Sequence, residues 1–112
     1  MSLMLELATG TVTTSDVAVI TVPAGEVWEV KYITIQQPGS STAKNLKIGR
    51  GTTATAANVK ANRPSSLLTT AAYTEVIFLP LGLVAAQTLN MIVDAGTTEL
   101  SFTVQGFKTK VS

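Results

Sequence analysis

The chain contains no cysteine and no histidine. Disulfides and the usual Cys/His metal sites are therefore excluded. Nucleophilic mechanisms that rest on a thiolate or an imidazole, the Ser-His-Asp triad among them, are excluded too. Charge is scarce: 13% of residues are Asp, Glu, Lys or Arg, against about 25% in an average soluble domain. The net charge is +1, too small for a field that gathers nucleic acid or an anionic membrane. No apolar run approaches the roughly 18 residues of a membrane-crossing helix. The opening "MSLMLEL" lacks a basic n-region and does not read as a signal peptide. Residues 1–3, ahead of a second methionine, read as a cloning remnant, and residues 1–15 as an N-terminal arm.

What the chain does have is apolar side chains, 46% of its 112 residues, and threonine, 18 copies of it. This length suits one domain. Such a chain can bury roughly 65% of its unfolded surface. A surface covered by threonine rather than charge is neutral and tolerates close contact with another protein.

The apolar pattern predicts strands throughout. Residues 16–22, "DVAVITV", form a Val/Ile-rich run that ends at Pro23. Pro23-Ala24-Gly25 then makes a corner, with proline presetting φ and glycine free to take a positive one. In the strand over residues 26–37, Trp28, Val30 and Tyr32 carry the apolar signal first, alternating with Glu29 and Lys31. Ile33 and Ile35 then carry it in the opposite phase. A period-two element changes phase only through a bulge, here expected at Lys31-Tyr32. Leu46 and Ile48 alternate with Asn45 and Lys47. Residues 51–72 show little periodicity. Short strands are expected near Val59 and near Leu67-Leu68, with Asn62-Arg63-Pro64 turning between them. Over residues 73–81, Val76-Ile77-Phe78-Leu79 is apolar at consecutive positions, as in a strand covered on both faces. The outward pair, taken as Ile77 and Leu79, is the candidate subunit interface. Leu89, Met91 and Val93 share a face. After a turn at residues 94–97, Leu100, Phe102 and Val104 point inward. Gly106 interrupts that alternation and predicts a second bulge. The expected fold is all-β, a single small antiparallel β-sandwich or jelly-roll-like barrel of six to eight strands.

Chemistry-bearing residues are few. The seven carboxylates are Glu6, Asp16, Glu26, Glu29, Glu75, Asp94 and Glu99. Glu26 and Glu29 fall on opposite faces of one strand and cannot form a local glycosidase pair. "GRGTT" at residues 49–53 lacks the Lys-Ser/Thr ending of a phosphate-binding loop. The reading is therefore not an enzyme, with no cofactor. The lone tryptophan, Trp28, reads as packing beside the strand bend. A sugar-stacking platform is the alternative, and it needs Trp28 exposed with Tyr32 or Tyr73. The bases cluster: Lys44, Lys47, Arg50, Lys60 and Arg63 fall within residues 44–63 with no acid among them. They are candidate docking residues for an acidic partner, or lysines that discourage edge pairing. Aromatics are not interleaved with them, so nucleic acid is not the expected partner.

The stretches "TVPAGEVWEVKYITIQQPGSSTAKNLKIGRG" and "LVAAQTLNMIVDAGTTELSFTVQGF" resemble small β-sandwich structural proteins of tailed bacteriophages. The resemblance lies in the "VPAG" turn, in Trp28-Val30-Ile33-Ile35, in Leu46-Ile48-Gly49 and in Phe102-Val104-Gly106-Phe107. "QQPGSS" and "AAQT" depart from the pattern. The resemblance implies an oligomeric virion component made in the bacterial host cytoplasm. The leading expectation is a head-decoration or capsid-stabilising subunit, a homotrimer bound to the major capsid or another virion protein. A tail, fibre or head–tail adaptor component shares the implied fold. A carbohydrate-binding module is the alternative of another class.

Overall fold

The computed structural model describes residues 3–37, 45–55, 57–63, 73–93 and 100–111. Eight strands follow in order: β1 (Leu5–Thr11), β2 (Val17–Thr21), β3 (Glu26–Gln37), β4 (Leu46–Arg50), β5 (Val59–Arg63), β6 (Tyr73–Leu83), β7 (Thr88–Val93) and β8 (Ser101–Lys110). They form two four-stranded antiparallel sheets. Sheet A has the order β1-β8-β3-β6 and sheet B the order β2-β7-β4-β5.

The pairing follows a simple rule. β1 pairs with β8, β2 with β7, β3 with β6 and β4 with β5. The chain is thus one long hairpin of paired strands. It is rolled so that β8 also meets β3, and β7 also meets β4. This is the eight-stranded jelly roll, a double-sheet solution that leaves few open edges.

Alternation puts one face of each sheet inward. Trp28, Val30, Ile33, Ile35, Ile77, Leu81, Leu83, Phe102 and Val104 of sheet A close over Ile20, Leu46, Ile48, Leu89, Met91 and Val93 of sheet B. Each buried side chain of this size contributes about 1.5–3 kcal/mol. Val12 plugs the joint where the chain passes from sheet A to sheet B. Its N–H donates to the Leu100 carbonyl, and the Val93 N–H donates to the Thr13 carbonyl nearby. At the corner before β3, Gly25 takes φ +80°, as the Pro-Ala-Gly turn predicts.

The expected bulge lies at Lys31, the extra residue of β3 against β8 between the pairs Val30–Gly106 and Tyr32–Gln105, whereas against β6 the extra residue falls on β6, at Leu79-Pro80. The inward set duly passes from Trp28 and Val30 to Ile33 and Ile35. The second bulge is placed differently. β8 runs through Gly106 without a break. The extra residue is instead Leu7 of β1, between the pairs Glu6–Gln105 and Ala8–Val104. Gly106 serves another purpose there. A Cβ on it would collide with the Glu29 carbonyl oxygen and press on Leu7, so glycine is what lets the bulged strand close on β8.

Two further expectations are corrected. Within residues 1–15, Leu5–Thr11 is strand β1, paired along β8, rather than an arm. Asn62 and Arg63 lie in β5 and pair with Lys47 and Leu46, so no turn begins there. The expected strand near Leu67-Leu68 and the turn at residues 94–97 lie outside the described residues.

Candidate functional site

The outer face of sheet A is broad and carries little charge, namely Glu6 on β1 and, on β3, Glu29 paired with Lys31 at 3.3 Å. Cross-strand register builds it in rows. Thr9, Thr103, Thr34 and Val76 form one row. Thr11, Ser101, Gln36 and Thr74 form the row on one side, and Glu6, Gln105, Tyr32 and Phe78 the row on the other. The Thr9 hydroxyl donates to the Phe102 carbonyl at 3.0 Å and lies 3.4 Å from the Thr103 hydroxyl. The threonines are thus held partly by the sheet itself. Along β6 the face becomes apolar. Val76 is 58% exposed and Phe78 60% exposed, and the Phe78 ring packs on Tyr32 at a centroid distance of 5.5 Å.

The candidate interface pair Ile77 and Leu79 is therefore corrected. Ile77 is buried in the core and Leu79 packs against it, whereas Val76 and Phe78 point outward. All four residues are apolar, so the sequence carries no phase here. The register to β3 decides it, by pairing Tyr32 with Phe78 and Ile33 with Ile77.

Of the five candidate docking side chains, the structure describes those of Lys47, Arg50 and Lys60. Lys47 is exposed on the outer face of sheet B, between Ile92 and Asn62 in register. Together with Asn45, Ile92 and Val93 it lines a shallow recess. Lys60 is exposed at the residue that bulges out of β5, and its Nζ donates to the Ala57 carbonyl at 3.4 Å. Arg50 is half-buried at the end of β4. Its Nε is enclosed and meets no hydrogen-bond partner among the described residues. Lys44 lies outside the described residues, as does the side chain of Arg63.

Trp28 is 9% exposed. Its indole N–H donates to Glu26 at 2.8 Å, and Lys108 lies over the ring 4.3 Å from the centroid. The ring is thus covered by chain rather than offered to a sugar.

One polar cluster was not expected. The Asp16 carboxylate accepts from the Thr52 hydroxyl (2.8 Å), the Thr53 N–H (2.7 Å) and the Thr53 hydroxyl (2.9 Å) on one oxygen. Its other oxygen accepts from the Asn90 amide at 2.8 Å. Asn90 is oriented in turn by the Thr88 hydroxyl, which donates to its Oδ1 at 2.8 Å. Partial burial works to raise the carboxyl's pKa. The hydrogen bonds from Asn90, Thr52 and Thr53 outweigh it and hold the group below its ordinary value. The "GRGTT" loop does cradle an anion, and the anion is the chain's own.

No family model matches the chain, and no curated protein matches it. Among solved structures, it is similar to a pentameric capsid protein isolated from metagenomic phage sequences, with a TM-score of 0.38 and 18% identity. That alignment covers 97% of this chain and 58% of the other. A second crystal structure of the same description aligns with a TM-score of 0.38 and 18% identity, over 97% of this chain and 60% of its own length. The chain spans about three-fifths of the length of the structures it matches.

Proposed function

We propose that the chain is a structural subunit of a bacteriophage particle that binds the shell from outside and stabilises it. The observation that carries this reading is the rolled hairpin whose outer sheet face carries little charge beyond Glu6 and the Glu29–Lys31 ion pair. Viral capsid domains, lectins and cupins are built on the jelly roll. The fold alone does not choose among them. The residues favour the first. The sugar platform expected of Trp28 with Tyr32 or Tyr73 needs that tryptophan exposed, and Trp28 is covered by Lys108 and bonded to Glu26. Histidine ligands are absent from the chain. The face formed by Thr9, Thr103, Thr34 and Val76 suits contact with another protein, since it has little charge to desolvate. The bacteriophage resemblance of the β2–β4 and β7–β8 stretches points the same way and implies three copies at a shell threefold point.

A protein that binds only the assembled shell stabilises it by mass action. Its work is then contact rather than catalysis. The test is the composition of purified particles. Mass spectrometry of virions from the host that carries the gene should find this chain in fixed ratio to the major shell protein. Its absence from washed particles overturns the reading.

A further inference from the structure

We infer that β6 is an edge through which two copies of the chain pair, antiparallel and about a two-fold axis, joining two A sheets into one. β6 is the outermost strand of sheet A and pairs only with β3 among the described residues. It is 11 residues long, whereas the other edge strands have 7, 5 and 5. A typical strand has about five or six. Exposed edges are ordinarily guarded by charge, above all lysine. β6 carries no lysine or arginine, Glu75 is its one charged residue, and its proline and register shift fall at Leu79-Pro80, beyond Val76 and Phe78.

The strand is complementary to itself in one register. Directly opposed residues of an antiparallel pair share a face. With the axis at Ile77, Val76 of each copy therefore lies opposite Phe78 of the other, on the outer face. Both exposed apolar residues are covered twice over. The row Tyr32–Phe78 of one sheet continues into Val76–Thr34 of the next. Centring on Val76 sets Phe78 against Thr74, and centring on Phe78 sets Val76 against Pro80. The first sets Phe78 against a hydroxyl, and the second brings Pro80, which has no N–H, nearer the middle of the ladder. The same register keeps the charges apart. Glu75 lies opposite Leu79, so the two Glu75 positions are roughly 13 Å apart along the ladder, beyond the screening length of about 8 Å. Pro80, which has no N–H, falls at the end of the ladder opposite Thr74. The contact is small by the standards of stable interfaces, so it strengthens with concentration.

A trimer formed through another surface leaves this edge free on every subunit. The inference does not rest on the virion reading, and its test is separate. The chain has no cysteine, so introduced thiols report cleanly. Val76→Cys and Phe78→Cys variants of the full chain are oxidised mildly, alone and mixed. The expected result is a disulfide-linked dimer that forms mainly in the mixture, because each thiol faces the other variant's. No cross-link in the mixture, or equal linking in the separate samples, overturns the inference. Phe78→Glu gives a second readout without thiols. It should weaken association by at least about tenfold in analytical ultracentrifugation, with circular dichroism unchanged. A wild-type chain that shows no pairing at high micromolar concentration also overturns it.

Discussion

Asp16 and Thr53, on different segments of sheet B's rim, are joined twice through one carboxylate oxygen, by the Thr53 N–H and by its hydroxyl. Thr53 is buried, so its polar atoms have no easy substitute for that partner. Asp16→Ala should cost about 1–3 kcal/mol, the penalty for leaving buried donors unpaired. Urea denaturation at neutral pH measures it. Thr52→Ala, at an exposed hydroxyl, should cost less.

The same carboxylate gives a pH dependence of definite sign. Its pKa in the folded protein lies below the ordinary aspartate value of 3.8. Its contribution is therefore complete above the unfolded-state value, and it is lost as the pH falls through the folded-state value. Wild-type stability should fall below about pH 4 more steeply than that of Asp16→Asn. Parallel acid limbs would show that Asp16 is not the group responsible.

Trp28→Ala removes a large buried ring and should cost about 3–5 kcal/mol. Native emission should be blue-shifted and should not respond to added oligosaccharides. Lys108→Ala, which removes only the cation over the ring, should cost at most about 1 kcal/mol.

Gly106→Ala tests the closure of β1 and β3 on β8. The new methyl group meets the Glu29 carbonyl, so thermal stability should drop markedly, by about 1–3 kcal/mol or more. Gly82→Ala is the control. A Cβ there meets nothing, and the effect should stay within about 0.5 kcal/mol.

Charge reversal at Lys47 and Lys60 should leave folding unchanged, since both side chains are exposed. If sheet B's outer face meets an acidic shell, the double variant should bind undecorated capsids more slowly at low salt, and the difference should vanish at high salt. Equal rates at low salt would move the docking face to sheet A.

The parts of the fold legible in the sequence were those written as local phase. Trp28, Val30, Ile33 and Ile35 announce a bulge because the pattern itself shifts there. Leu89, Met91 and Val93 give a clean inward face. Two kinds of feature escaped. Val76-Ile77-Phe78-Leu79 is apolar throughout, so only pairing with β3 could say which residues face out. The Asp16 cluster draws on residues far apart in sequence, which meet because β7 lies between β2 and β4. An aspartate just before a strand and a Thr-Thr pair after a Gly-Arg-Gly are ordinary locally. Their meaning comes only from the roll. β1 was missed for a related reason: its partner, β8, is the last strand described.

The pairing of first strand with last sets the order in which this protein can be made. As the chain leaves the ribosome, β4 and β5 can join at once, but β3 waits for β6 and β2 for β7. β1 has no partner until Ser101–Gly106 has emerged. Sheet A can close only once β8 has emerged, so folding is dominated by late, long-range pairing and is expected to be slow. Until then the apolar edge of β6 is exposed in the company of other nascent copies, a window in which premature association competes with folding.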